Sequence, residues 1–327
     1  MTADLALATR ALSKSYGSRR ALDGLDLTVP TGVVYGFLGP NGAGKTTTMR
    51  LLTGLLRPDS GTIEMLGRPF SMSDRHRLFD IGALVESPSF YPYLSGRENL
   101  HALASAGAPT PRKRIDEVLE IVGLRDRAAD KVSRYSLGMK QRLGIAGALL
   151  SDAQLLLLDE PANGLDPAGI VAMRETLLHL ATIGKTVFVS SHLLAEIQVM
   201  ADVVGIIAAG RLVREGTMQE LLGSQQVVRV RVPRDASATA IDLLGSIGAA
   251  TVGAAGAPEP DPDAVWLSVP AAPNRAAEIN RLLASGGIYA SGLESGSDLE
   301  MLFLELTGGE PVAGSEGTFQ GIGTASR

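Results

Sequence analysis

With 327 residues, 45% apolar and 20% charged, the chain has the makeup of a globular protein large enough for one big domain and a smaller one. A formal net charge of −5 removes the simple electrostatic case for nucleic-acid binding, and the lack of cysteine excludes disulfides, thiolate metal sites and a cysteine nucleophile. The N-terminus MTADLALATRALSKSYG has no apolar core of signal-peptide length, and the run at 155–158 falls far short of the about 20 apolar residues that cross a bilayer. The chain is therefore expected to be soluble by itself, and to need an anchor if it works at a membrane.

From Leu5 to about Leu222, strand and helix signals alternate. VVYGFLG (33–39), LLLLD (155–159) and TVFVSS (186–191) are the continuous apolar runs of parallel strands covered on both faces, which predicts an α/β fold. The first run leads into Gly39, Pro40, Asn41, Gly42, Ala43, Gly44, Lys45 and Thr46, a full match to G-x-x-x-x-G-K-[ST] between a strand and a helical stretch, with Thr47 next to it as a further binding candidate. Its glycines let backbone N–H groups curl around phosphates, the helix N-terminus favours negative charge, Lys45 reaches the β- and γ-phosphates, and the Thr46 hydroxyl binds Mg²⁺.

Further on, YSLGM (135–139) opens a helical stretch whose apolar positions Leu143, Ala146, Leu149 and Leu150 recur at helical spacing. Small residues at such a start, Ser136 and Gly138, make a second phosphate-binding end. The run at 155–158 then ends in Asp159 and Glu160, a buried strand delivering acid to the carboxyl edge of a sheet, where open α/β folds bind ligands. Asp159 is expected to support Mg²⁺, and Glu160 to orient or deprotonate an attacking water.

After Gly223 the character changes. VVRVRV (227–232) alternates like a half-exposed strand, an apolar-periodic stretch runs to Ile247, and a Pro/Asp-rich turn at 258–262 precedes AVWLSV (264–269). PNRAAEINRLLA (273–284) reads as a helix and IYASGL (288–293) as the next strand, so strand–helix–strand occurs twice, a ferredoxin-like layout. Ser297 and Glu300 form a capping box ahead of a final helix, and the Gly/Ser-rich residues from 308 are expected to be disordered.

Together the two phosphate motifs and the acidic strand resemble the ABC ATPase family over about residues 5–222. The resemblance implies a P-loop ATPase domain at 1–223 with a helical subdomain at about 87–150, beside a small α+β accessory domain at 224–307. By the same resemblance Tyr16 stacks on adenine, Asp166 with Gly164 and Leu165 forms a loop crossing a dimer interface, and His192 is a switch histidine for the γ-phosphate. Two copies, or this chain and a paralogue, would enclose two ATP·Mg²⁺, with Ser136 and Gly138 of one closing on the P-loop of the other. Two positions depart from the family pattern: YSLGM stands for LSGGQ, so Leu137 and Met139 replace glycine and glutamine, and Glu86 replaces the usual glutamine. A carboxylate at 86 can still take Mg²⁺ or water, yet adds negative charge beside the phosphates.

Glu86 followed by SPSFYPYLSGREN, with LEMLFLELTG at 299–308, resembles the ATPases of bacterial exporters for drugs and peptide antibiotics of the bacitracin-resistance type. That implies a membrane permease on a separate chain, docked near residues 90–94, and a place on the cytoplasmic side of the cell membrane. The alternative is a soluble ABC ATPase acting on ribosomes or DNA; against it stand the single P-loop and the lack of a coiled-coil insert. A third reading makes the C-terminal region a small-molecule sensor that regulates the ATPase.

Overall fold

The computed structural model describes residues 4–71, 78, 80–107, 110–223, 227–252, 263–296 and 299–307. The capping box at Ser297, the turn at 258–262 and the tail from 308 lie outside them. Close packing divides the chain between Val213 and Arg214.

The first unit begins with β1 (Leu5–Tyr16) and β2 (Arg19–Pro30), which pair antiparallel through a two-residue turn, with Tyr16 opposite Arg19. Gly17 adopts φ 59° there, a left-handed conformation that glycine enters at little cost. β4 (Ser60–Met65) pairs with β1 and β5 (Arg68–Phe70) with β4, giving the sheet order β2-β1-β4-β5. This antiparallel sheet differs from the expected strand–helix alternation starting at Leu5. Register shifts in β1 between Thr9 and Leu12, with Ala11 at φ 48°, break the period of two by which a strand is recognised.

The second sheet holds β3 (Val34–Leu38), β6 (Ile81–Leu84), β7 (Leu155–Asp159), β8 (Thr186–Ser191), β9 (Val203–Ala208) and β10 (Arg211–Thr217), in the order β10-β9-β3-β8-β7-β6. From β9 to β6 the pairings are parallel. β3, β7 and β8 are buried at every residue, as their unbroken apolar runs predict. The Phe188 ring stacks on Tyr35 at 5.1 Å and lies 5.2 Å from Phe37, fixing β8 to β3 inside the core.

Helices α1 (Lys45–Leu52), α5 (Pro167–Thr182) and α6 (Leu194–Met200) connect the strands, while α2 (Gly96–Ala106), α3 (Arg112–Ile121) and α4 (Leu137–Ala148) are inserted between β6 and β7. α2 opens on a capping box, Ser95 accepting from the Glu98 amide and Glu98 accepting from the Ser95 amide at 2.7 Å.

The second unit contains α7 (Met218–Gly223), β11 (Val227–Pro233), α8 (Ser237–Leu244), β12 (Thr251–Val252), β13 (Ala264–Pro270), α9 (Ala276–Ser285), β14 (Gly292–Gly296) and α10 (Leu299–Leu306). Its antiparallel sheet runs β12-β13-β11-β14, the ferredoxin-like order, with Val228, Val230, Val232, Leu267 and Val269 buried against α8 and α9. α7 falls in this unit and packs on α10. One expectation is corrected: the last strand starts at Gly292, not Ile288. Gly287, at φ 76°, donates to the Ala284 carbonyl and Ile288 to that of Leu283, so the apolar Ile288 closes the end of α9 instead of opening a strand.

Candidate functional site

Parallel pairing brings the carboxyl ends of β3, β8, β7 and β6 side by side, and those ends carry residues 39–46, His192, Asp159 with Glu160, and Glu86. A cavity of about 520 Å³ opens there. Tyr16, Pro40, Asn41, Gly42, Gly44, Lys45, Thr46, Thr47, Glu160 and His192 all line it. So do Arg19, Ala21 and Asn163, which belong to none of the motifs.

Two glycines of the loop from β3 to α1 leave no room for a side chain. A Cβ on Gly39 would lie 2.5 Å from the Ile207 carbonyl oxygen, and one on Gly44 2.6 Å from Leu22 Cδ2, with Gly44 at φ 118°. Gly44 is the N-cap of α1 and offers no side chain to the first-turn amides, so these donors are left for an anion. Ala43 is buried and lies outside the lining; its amide donates to the Pro40 carbonyl, and its carbonyl accepts from Gly210. The Lys45 ammonium, 7% exposed, donates to the Gly39 carbonyl at 2.6 Å and lies 3.5 Å from Glu160 Oε1.

Glu160 takes φ 49°, unusual for a residue with a Cβ, and its amide donates to Ser190 Oγ at 3.0 Å. Ser190 Oγ in turn donates to Asp159 Oδ1 at 2.6 Å, so one buried hydroxyl orients both acids. His192 Nδ1 lies 2.5 Å from Glu160 Oε2. Burial pushes the Glu160 carboxyl up, but the hydrogen bond and charge of His192, with Lys45, hold it below its ordinary value. It is thus ionised at neutral pH and can only accept, so Nδ1–H donates to it and Nε2 is left for a second partner.

Asp159 and Glu86 do not line the cavity. Glu86, at φ 68°, forms an ion pair with Arg50 of α1. Ser136, Gly138 and Asp166 are also outside the lining. The Ser136 hydroxyl caps α4 by accepting from the Met139 amide at 3.2 Å, Asp166 caps α5 by accepting from Gly169 at 3.2 Å, and these two helices pack together. Leu137, in place of a family glycine, is 46% exposed at the α4 start. Among the described residues there is no cluster of three His, Asp or Glu able to hold a metal by itself. Oxygen donors at Thr46, Asp159 and Glu86 nevertheless suit Mg²⁺, which keeps water and substrate phosphates as its remaining ligands. Among the described residues, no helix is long and apolar enough to cross a membrane.

Comparison with known proteins gives a consistent set of likenesses. The family model described as ABC transporter matches residues 22–163. The chain is 51% identical over 208 residues to a bacitracin transport ATP-binding protein of Bacillus licheniformis, covering 63% of this chain and 68% of that one. It is 42% identical over 204 residues to a lantibiotic transport ATP-binding protein of Streptococcus pyogenes, covering 62% and 87%. Among solved structures it is similar to a component of an ABC transporter complex from Clostridium perfringens, with TM-score 0.62, 27% identity and coverage of 67% and 91%. A nucleotide-free ATP-binding cassette, at TM-score 0.61 and 23% identity over 65% and 91%, shares the fold.

Proposed function

The chain belongs to the ABC transporter family, among its ATP-binding ATPase subunits, and from that premise we propose that it powers export of a drug or peptide antibiotic through a permease on a separate chain. The observation that carries the catalytic part is Glu160, ionised and paired with His192, facing the same cavity as Lys45 and the α1 N-terminus. The relatives named for bacitracin and lantibiotic transport support the choice of cargo class.

In this reading Tyr16 stacks on adenine, residues 39–47 wrap the phosphates with backbone amides, and Lys45 neutralises the β- and γ-phosphates. Glu160 orients a water and accepts its proton as the water oxygen bonds to the γ-phosphorus and the bond to the ADP oxygen breaks. His192 holds Glu160 through Nδ1 and uses Nε2 toward the γ-phosphate. Mg²⁺, held by Thr46 and Asp159 with Glu86 in support, would neutralise phosphate charge when bound. Ser136 and Gly138 come from a second copy or a paralogue, with Asp166 at that interface, because they stand at helix starts outside the cavity of their own chain. ATP draws the two subunits together, and hydrolysis lets them part.

Residues 90–94 are the docking segment for the permease in this reading. Tyr91 and Tyr93 are 55% and 65% exposed with ring centroids 5.8 Å apart, while the Tyr91 backbone is pinned by Asn99, whose Oδ1 accepts from its amide at 2.9 Å. The chain would then sit on the cytoplasmic side of the membrane. Co-purification of the tagged chain from detergent-solubilised native membranes tests this. The expected result is a stoichiometric polytopic partner, with ATPase activity that rises on adding candidate drugs or peptides. Recovery from the soluble fraction with ribosomes or nucleic acid would transfer the chain to the alternative.

A further inference from the structure

We propose that Arg50 is a positioning residue for Glu86: it holds the carboxylate against the P-loop helix and cancels its charge, so that an acid can occupy position 86 without weakening nucleotide binding. The proposal rests on the reading that the cavity takes a nucleoside triphosphate.

Arg50 lies on α1, five positions after Lys45, about 7.5 Å along the axis and about 140° around it. It therefore lies on a different face of α1 from Lys45, and is absent from the cavity lining. Its Nη2 donates to Glu86 Oε1. Glu86 follows β6, the neighbour of β7, which ends in Asp159. The Glu86 backbone is in the left-handed region, at a cost of about 1–2 kcal/mol for a residue with a Cβ. Such a conformation lasts where its surroundings over-determine it, and the ion pair to α1 is one such restraint.

Charge gives the pair its purpose. Asp159, Glu160 and Glu86 put three carboxylates at one sheet edge that must also accept a highly charged anion. Glu160 lies beside the Lys45 ammonium and against His192, and Asp159 accepts a hydrogen bond from the uncharged Ser190 hydroxyl. Arg50 balances Glu86, and the pair is neutral as a glutamine would be. The basicity of Arg50 is raised, first by the hydrogen bond to Glu86, against the effect of burial, and in smaller measure by charges that include Asp159. Position 50 thus sets what the acid at 86 does to the phosphates, although no phosphate motif includes it.

The side chains are 42% and 60% exposed, so neither change should unfold the protein. The test is a double-mutant cycle on the full chain, reading the affinity for the non-hydrolysable ATP analogue AMP-PNP with Mg²⁺ by calorimetry. Arg50→Met should weaken binding about two- to fivefold in the Glu86 background, the range expected of an exposed charge pair. The same change in the Glu86→Gln background should have no effect, and Arg50→Lys should retain most of the wild-type affinity. The loss should shrink at 1 M salt, where the screening length falls to about 3 Å. Equal losses in both backgrounds, or no loss in the first, would overturn the proposal. Wild-type protein that bound no AMP-PNP would instead remove the nucleotide reading on which it stands.

Discussion

Glu160 and His192 meet at 2.5 Å although 32 residues separate them in the chain. Parallel pairing of β7 with β8 sets Asp159 opposite Ser190, so the residues just past the two strand ends emerge as neighbours. Lys45 approaches the same carboxylate from the adjoining strand, β3, through the loop into α1. The three side chains are therefore brought together by the register of strands buried at every residue, a rigid support for a site.

Glu160→Gln keeps the size and the polar contact with His192 but cannot take a proton. Steady-state phosphate release should fall about 10²–10⁴-fold while nucleotide binding persists. Near wild-type turnover would remove Glu160 from its role as base.

Acid stability should depend on His192. Glu160 has a depressed folded pKa, so its ionised form stabilises the fold fully above about pH 4.5, and that contribution is lost as the pH falls through the lower folded value. His192→Ala removes the partner that opposes burial, which moves the folded value up. Acid unfolding followed by circular dichroism should then begin at a higher pH than in the wild type. Coincident curves would show that the contact does not hold the carboxylate ionised.

Gly44→Ala and Gly17→Ala separate two kinds of left-handed glycine. At Gly44 a methyl meets Leu22 Cδ2 at 2.6 Å and the Ala21 carbonyl oxygen at 2.8 Å, whereas at Gly17 nothing lies within 4 Å. The Gly44 variant should lose about 1–3 kcal/mol or more, with nucleotide binding impaired. The Gly17 variant should lose about 1 kcal/mol and bind normally. Thermal melts beside AMP-PNP titrations decide, and equal binding defects would argue against a role for the loop shape.

Ser190→Ala leaves Asp159 Oδ1 without its buried donor and the Glu160 amide without one of its acceptors. Urea unfolding should show a loss of about 1–3 kcal/mol. Because both acids lose their alignment, kcat should drop more than KM rises. A change confined to stability would make the hydroxyl structural only.

Much of the candidate site could be read from the sequence because its parts are contiguous: residues 39–46 are one glycine-rich loop leading into a helix, and 155–160 are a buried strand with its acids attached. β3, β7 and β8 were equally plain, since a strand covered on both faces has no polar positions to blur it. Arg19, Asn163, Ser190 and Arg50 were not legible, since each matters only through a neighbour that the register supplies. The β1–β2 sheet was hidden by its bulges, and the start of β14 by an apolar residue that serves a helix end. β12 has only two residues, too short to carry a pattern.

The two acids at the ends of adjacent strands, Glu86 and Glu160, both carry backbone torsions suited to glycine. Glycine would relieve the strain at both, but at 160 it would also remove the carboxylate whose pairing with His192 stabilises the fold, so selection for heat resistance alone favours glycine at the more exposed position 86. Such survivors would lose the carboxylate that the proposed function sets beside Mg²⁺. Directed evolution of such a chain therefore has to score turnover in every round, because thermal endurance alone gives no protection to the acid at 86.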